Sequence, residues 1–94
     1  MNITVQLEAQ LRHAAGVSHA AVSMPDNSSV VDVLQVMASR FGPTLGERLI
    51  AADGTAQRSV LLFLNDKPVA HAAVAEHQLR EGDVLLLYPP ISGG

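Results

Sequence analysis

Apolar and polar residues alternate from the start of the chain, with Ile3, Val5 and Leu7 interleaved with Thr4, Gln6 and Glu8. A period of two predicts a strand with one buried face. Ala20, Val22 and Met24 alternate with Ala21 and Ser23 and predict a second strand, placed to pair with the first as a hairpin. Leu11 to Gly16 reads as the connection between them, with Gly16 as a turn or cap. Pro25-Asp26-Asn27-Ser28 is dense turn chemistry and ends the second strand. The period then changes. Val30, Val33, Leu34, Met37 and Phe41 fall on one helical stripe. Ser29 is placed as its N-cap, Asp32 as the acid of a capping box, and Gly42-Pro43 as the stop.

Beyond the helix, Thr44 to Ile50 predicts a second, shorter helical segment, and Asp53-Gly54-Thr55 a loop. Val60-Leu61-Leu62-Phe63-Leu64 is a continuous apolar run between turn signals, the pattern of an interior strand. Asn65-Asp66-Lys67-Pro68 predicts a tight turn, with Val69 opening a short strand. Glu81-Gly82-Asp83 turns the chain into a last apolar strand, Val84 to Tyr88, which Pro89 ends because proline cannot donate to a sheet ladder. Parity divides that strand: Leu85 and Leu87 face one way, and Val84, Leu86 and Tyr88 the other. We expect Leu85 and Leu87 to face the helix. Leu86 and Tyr88 then form an apolar patch on the opposite face, a surface of the kind that marks a binding site.

The predicted order is strand, strand, helix, strand, short strand, strand. One amphipathic helix on one face of a mixed sheet is an α+β two-layer domain. With 94 residues and 48% hydrophobic content, the chain suits a single domain (1–94) with one modest core. The net charge of −3 argues against a nucleic-acid surface, which would carry a basic stripe. No apolar run approaches the length of a membrane span. Cysteine is absent, so there is no disulfide framework, thiolate nucleophile or Cys-based metal or iron–sulfur site. These features point to a soluble, cytoplasmic protein. His13, His19, His71 and His77 show no ligand spacing and read as surface residues, so no metal site is assigned. Arg40, Arg48, Arg58 and Arg80 also read as solvated surface.

The sequence ends Pro89-Pro90-Ile91-Ser92-Gly93-Gly94. Residues 89–94 are expected to form a flexible C-terminal tail. Two glycines without a Cβ suit entry into a narrow active site, and the proline pair fixes the direction in which the tail leaves. Six extended residues reach about 20 Å.

With the order of elements, this ending resembles the MoaD/ThiS family of ubiquitin-like sulfur carriers, and the resemblance covers the whole chain. Small subunits of molybdopterin synthase finish in a similar Pro-Pro-Val-Ser-Gly-Gly, with Ile91 here in place of valine. The longer stretch from Gly46 to Arg58 resembles the CysO-like branch instead. The resemblance implies a ubiquitin-like β-grasp, a mixed sheet of four to five strands packed on one main helix, with first and last strands side by side. It also implies a sulfur carrier. A MoeB/ThiF-type enzyme would use ATP to adenylate the Gly94 carboxylate, and a sulfur donor would convert it to a thiocarboxylate. The sulfur would pass to a MoaE-like subunit in molybdenum cofactor biosynthesis, or to a cysteine, thiamine or other sulfur-metabolite pathway.

On this reading the chain binds no cofactor and is a monomer when free. Gly94 is the reactive terminus and Gly93 gives access. Pro89, Pro90, Ile91 and Ser92 form the threading arm, and Leu86 and Tyr88 dock the partner. Two other readings stand beside it. One is a protein modifier joined through Gly94 to target lysines. The other is an inert β-grasp interaction module, for which Gly93 and Gly94 would be dispensable.

Overall fold

The computed structural model describes residues 1–90, so the expectations for Ile91, Ser92, Gly93 and Gly94 lie outside the described residues. The elements follow in the order β1 (Asn2–Leu7), α1 (Ala9–Ala15), β2 (His19–Ser23), α2 (Val30–Phe41), α3 (Pro43–Leu49), β3 (Leu61–Leu64), β4 (Lys67–Pro68), a 3-10 turn (His71–Ala73) and β5 (Val84–Tyr88). The sheet order is β2-β1-β5-β3-β4. β1 and β5 run parallel at its centre, with Val5 opposite Leu85 and Leu7 opposite Leu87. β2 pairs antiparallel with β1, and β3 antiparallel with β5.

The alternation in β1 has its expected consequence. Ile3, Val5 and Leu7 are buried, and so are Ala20 and Val22 of β2. They meet Val30, Val33, Leu34 and Met37, the buried stripe of α2. The α2 N-terminus is closed by a capping box. Ser29 Oγ accepts from the Asp32 N–H at 3.4 Å, and an Asp32 carboxylate oxygen accepts from the Ser29 N–H at 2.8 Å. Two further amides at this end, those of Val30 and Val31, donate to the carbonyls of His77 and Val74. The segment before β5 is thereby tied to the helix.

Residues 11–16, expected to be a connection, form most of helix α1, which ends at Gly16 in the left-handed conformation. Only Leu11 in this helix is buried. One buried side chain writes no stripe into the sequence, so periodicity could not reveal the helix. β1 and β2 are therefore antiparallel neighbours joined through α1, not a tight hairpin. The second helical segment is present as α3, with Pro43 in its first turn and Leu45 and Leu49 buried. It packs closely on α2, since a Cβ added at Gly46 would lie 3.2 Å from the Cβ of Ala38.

The turn after β3 is tighter than expected. Asn65 and Asp66 both have positive φ, 50° and 70°, the pattern of a two-residue type I′ hairpin turn. Lys67 and Pro68 consequently belong to β4, and Val69 lies just past it. Arg40 is not simply solvated. Its Nη1 donates to the Ala21 carbonyl at 2.8 Å on the edge strand β2, and its guanidinium lies 5.3 Å from the Phe41 ring centroid.

Candidate functional site

β5 delivers the C-terminal segment to its exit. It is hydrogen-bonded to β1 on one side and β3 on the other, so its direction is set by two ladders. Leu85 and Leu87 are fully buried on the helix side. The opposite parity brings Val84, Leu86 and Tyr88 to the other face of the sheet, with Leu86 half-buried and Tyr88 exposed.

Cross-strand register shows what surrounds them. Tyr88 is opposite Leu61, and Leu86 is opposite Phe63. Residues paired in this way share a face. Phe63 is in turn opposite Pro68 on β4. On the β1 side the neighbours are polar: Thr4 is opposite Val84, and Gln6 is opposite Leu86. The face opposite the helices therefore has an apolar half over β5, β3 and β4 and a polar half over β1. Leu61 is 40% exposed and Tyr88 39%, and they stand at the end of the sheet where the chain leaves it. The rings of Phe63 and Tyr88 pack edge to face.

Pro89 and Pro90 continue from Tyr88 between two walls. On one side, a groove is lined by Leu61, Phe63, Tyr88 and the prolines, with Ala9 and Gln10 at the start of α1. On the other side, the prolines line a smaller hollow with Leu11, Glu47, Arg48, Gln57 and Ser59. That second wall is built by the long stretch after α2. Gln57 Nε2 donates to the Glu47 carbonyl at 3.0 Å, and Ile50 and Ala56 form an isolated bridge. Glu8 at the start of α1 donates its N–H to the Leu87 carbonyl, which fixes the first wall to β5. Pro89 is half-buried and Pro90 exposed.

Of the residues singled out in the sequence, Leu86, Tyr88, Pro89 and Pro90 thus lie together at one end of the sheet. Leu61 and Phe63 join them but were not singled out. Their run of five apolar residues suggests burial on both faces, whereas β4 is only two residues long and, among the described residues, no layer covers the side opposite the helices. The signal was parity: Leu62 and Leu64 share a side, which puts Leu61 and Phe63 on the other. Arg48, Gln57 and Ser59 carry no periodic pattern, and only the fold brings them beside Pro89 and Pro90.

No group of three or more His, Cys, Asp or Glu side chains capable of holding a metal occurs among the described residues. His13, His19 and His77 are exposed, while half-buried His71 has its Nε2 2.7 Å from the Ala56 carbonyl oxygen. Asp53 is held below the usual carboxylate range, first by the Thr55 hydroxyl and then by the Thr55 N–H, both of which donate to Oδ1. It shapes the loop between α3 and β3. Among the described residues the site at the sheet end thus offers shape and an apolar surface, with Glu47 and Arg48 lining the hollow beside the prolines. Among the described residues no helix is long and apolar enough to cross a membrane.

Comparison with known proteins places this geometry. The model of the ThiS family matches residues 5–94. Small archaeal modifier protein 3 of Haloferax volcanii is 28% identical over 94 residues, which is all of both chains. The crystal structure of SAMP1 from Haloferax volcanii superposes with a TM-score of 0.87 at 26% identity, covering 100% of both chains. A putative molybdopterin converting factor, subunit 1, from Pyrococcus furiosus superposes with a TM-score of 0.76 at 22% identity over 97% of this chain and 99% of its own, and at that identity it speaks to the fold alone. The architecture is the ubiquitin-like β-grasp.

Proposed function

The chain belongs to the ThiS family of ubiquitin-like sulfur carriers and modifiers, and we propose that it is a sulfur carrier whose reactive group is the Gly94 carboxylate. One observation carries this reading. β5 is anchored on both sides and leads past an exposed apolar patch into Pro89 and Pro90, with Gly93-Gly94 following in the sequence.

A carboxylate resists nucleophilic attack until it gains a better leaving group. In the proposed sequence, a Gly94 carboxylate oxygen attacks the α-phosphorus of ATP on a MoeB/ThiF-type enzyme, and pyrophosphate leaves. Sulfide-level sulfur from a donor then attacks the acyl carbon. AMP departs with the electron pair of the broken C–O bond, leaving a thiocarboxylate. The carrier contributes placement. Leu61, Phe63, Leu86 and Tyr88 dock the partner enzyme, and burying exposed apolar area is the driving term in such contacts. The two prolines limit the conformations of the arm, which lowers the entropy lost when it enters an active site.

The acceptor we favour is a pterin precursor on a MoaE-like subunit, giving the dithiolene of molybdopterin. The Pro-Pro-Ile-Ser-Gly-Gly ending supports it. The long 46–58 stretch, which builds one wall of the exit, favours a CysO-type carrier for cysteine or another sulfur metabolite. A modifier role shares the activation step and differs in taking an amine as acceptor. It is supported by the name of the 28% identical relative, a modifier protein.

The shared activation step is tested with hydroxylamine. The protein is incubated with ATP and the adenylating enzyme of its host, and the mixture is quenched with hydroxylamine. A hydroxamate at Gly94, absent after deletion of Gly94, is expected. Failure of every such enzyme in the host to yield the hydroxamate would overturn the proposal.

A further inference from the structure

The sheet has two edges, β2 and β4, and they are protected unequally. An unpaired edge is a template for another strand unless something blunts it. β4 is two residues long and holds Pro68, which has no N–H to offer a neighbour. β2 is five residues long, His19-Ala20-Ala21-Val22-Ser23, with no proline and no Asp, Glu, Lys or Arg. Its backbone is the more complete template.

Hydrogen bonding shows which groups of β2 point outward. Met1 and Met24 exchange both backbone bonds, at 2.7 and 2.8 Å. In an antiparallel pair such positions alternate with ones whose N–H and C=O face away from the partner. With Thr4 opposite Ala21, the outward residues of β2 are His19, Ala21 and Ser23. Thr4 agrees, since its N–H turns away from β2 to the Asp83 carbonyl at 3.0 Å. Ala21 is the middle one of the three, and its carbonyl is the group that Arg40 Nη1 holds at 2.8 Å. Arg40 reaches it from the last turn of α2, with its guanidinium steadied over the Phe41 ring. Among the described residues, no other side chain bonds to the outward backbone groups of β2.

We propose that Arg40 guards this edge and keeps β2 from pairing with β2 of a second copy. The bare strand is self-complementary. A two-fold axis at Ala21 sets His19 opposite Ser23 and Ala21 opposite Ala21, with every outward group meeting an outward group. No Asp, Glu, Lys or Arg of the strand stands opposite its like, and the central side chain is small. Arg40 defeats this pairing twice. It occupies the Ala21 carbonyl that the central pair needs, and at the axis it brings two guanidiniums together, where like charges repel. This role of Arg40 is independent of what Gly94 does.

The test compares the full chain with its Arg40→Ala variant, by light scattering over a wide range of concentration and by amide hydrogen exchange. The wild type is expected to stay monomeric, with the Ala21 amide exchanging freely. Arg40→Ala is expected to dimerise as concentration rises, with the His19, Ala21 and Ser23 amides newly protected. Adding Ala21→Pro removes the outward N–H at the centre and leaves the bonds to β1 in place, so it should return Arg40→Ala to a monomer. Arg40→Met keeps the stem over Phe41 and loses the donors and the charge, and it gives the same reading where circular dichroism shows the alanine variant to be unfolded. A wild-type dimer, or folded Arg40 variants that stay monomeric at every concentration, would overturn the proposal. So would a variant dimer that leaves these three amides unprotected or survives Ala21→Pro.

Discussion

The rings of Phe63 and Tyr88 meet edge to face, with centroids 5.8 Å apart and planes at 84°. The pair joins β3 to β5 at the face that the helices leave uncovered, one strand position from the start of the tail. It gives the patch a rigid surface, because each ring limits the rotamers of the other. An aromatic pair of this kind is worth about 0.5–1.5 kcal/mol beyond its area burial. Tyr88→Ala is therefore expected to leave the fold intact, with a stability loss of about 1 kcal/mol. Its larger effect is predicted in docking, where tyrosine is prominent among the few residues that carry interface energy. The KM for the adenylating enzyme should rise about tenfold, equivalent to about 1.4 kcal/mol, with kcat nearly unchanged. An unchanged KM would remove Tyr88 from the docking surface.

Neighbouring positions on β5 should respond in opposite ways. Leu87 is fully buried and Leu86 half-buried. Leu87→Ala is expected to cost about 2–5 kcal/mol through lost burial and the cavity left behind. Leu86→Ala should cost less in stability and more in partner affinity. Urea denaturation of both variants, with binding measured below the transition, checks the parity. Equal stability losses would contradict it.

Asn65 performs two tasks with one side chain. Its Oδ1 accepts from the Val84 N–H at 2.9 Å, and its Nδ2 donates to Asp83 at 2.9 Å. The first bond fixes where β5 begins, and its backbone holds the left-handed conformation that the turn demands. Asn65→Ala removes both bonds and puts a less tolerant residue at positive φ, for an expected loss of about 1–3 kcal/mol. Asn65→Gly relieves the backbone but not the bonds, so its loss should be smaller. A Gly variant as damaged as the Ala variant would mean that the side-chain bonds account for the effect and the backbone conformation for little of it.

Asp53 gives a pH dependence of known sign. Its folded carboxyl is held below the usual carboxylate range by the Thr55 hydroxyl and N–H. A depressed pKa contributes stability that is present above the unfolded value and lost as pH falls through the folded one. The effect is therefore confined to acid below about pH 4 and is small, because the group is exposed. In Thr55→Val the hydroxyl bond is gone, and the Asp53 carboxyl should titrate closer to its ordinary value by NMR. A titration unchanged by that substitution would assign the depression to another cause.

Much of the fold was legible because burial imposes a period. One-sided burial marked β1 and β2, and a wide apolar stripe with a capping box marked α2. α1 was hidden because it buries a single leucine, and the limits of β4 were blurred because a type I′ turn needs only two residues. The candidate site was half legible. Parity placed Leu86 and Tyr88 opposite Leu85 and Leu87, and the ending drew attention to Pro89 and Pro90. Leu61 and Phe63 were masked by a run that looked interior. Arg48, Gln57 and Ser59 reach Pro89 and Pro90 through the way α3 and the loop after it fold back, a relation no local pattern encodes.

The most direct test of the central claim is the intact mass of the protein after incubation with ATP, the adenylating enzyme and a sulfur donor. The account predicts a mass gain equal to replacement of one oxygen by sulfur, mapped to Gly94 and absent when Gly94 is deleted. A protein that is adenylated at Gly94 yet never gains sulfur, with each available donor and activating enzyme, would contradict the sulfur-carrier account.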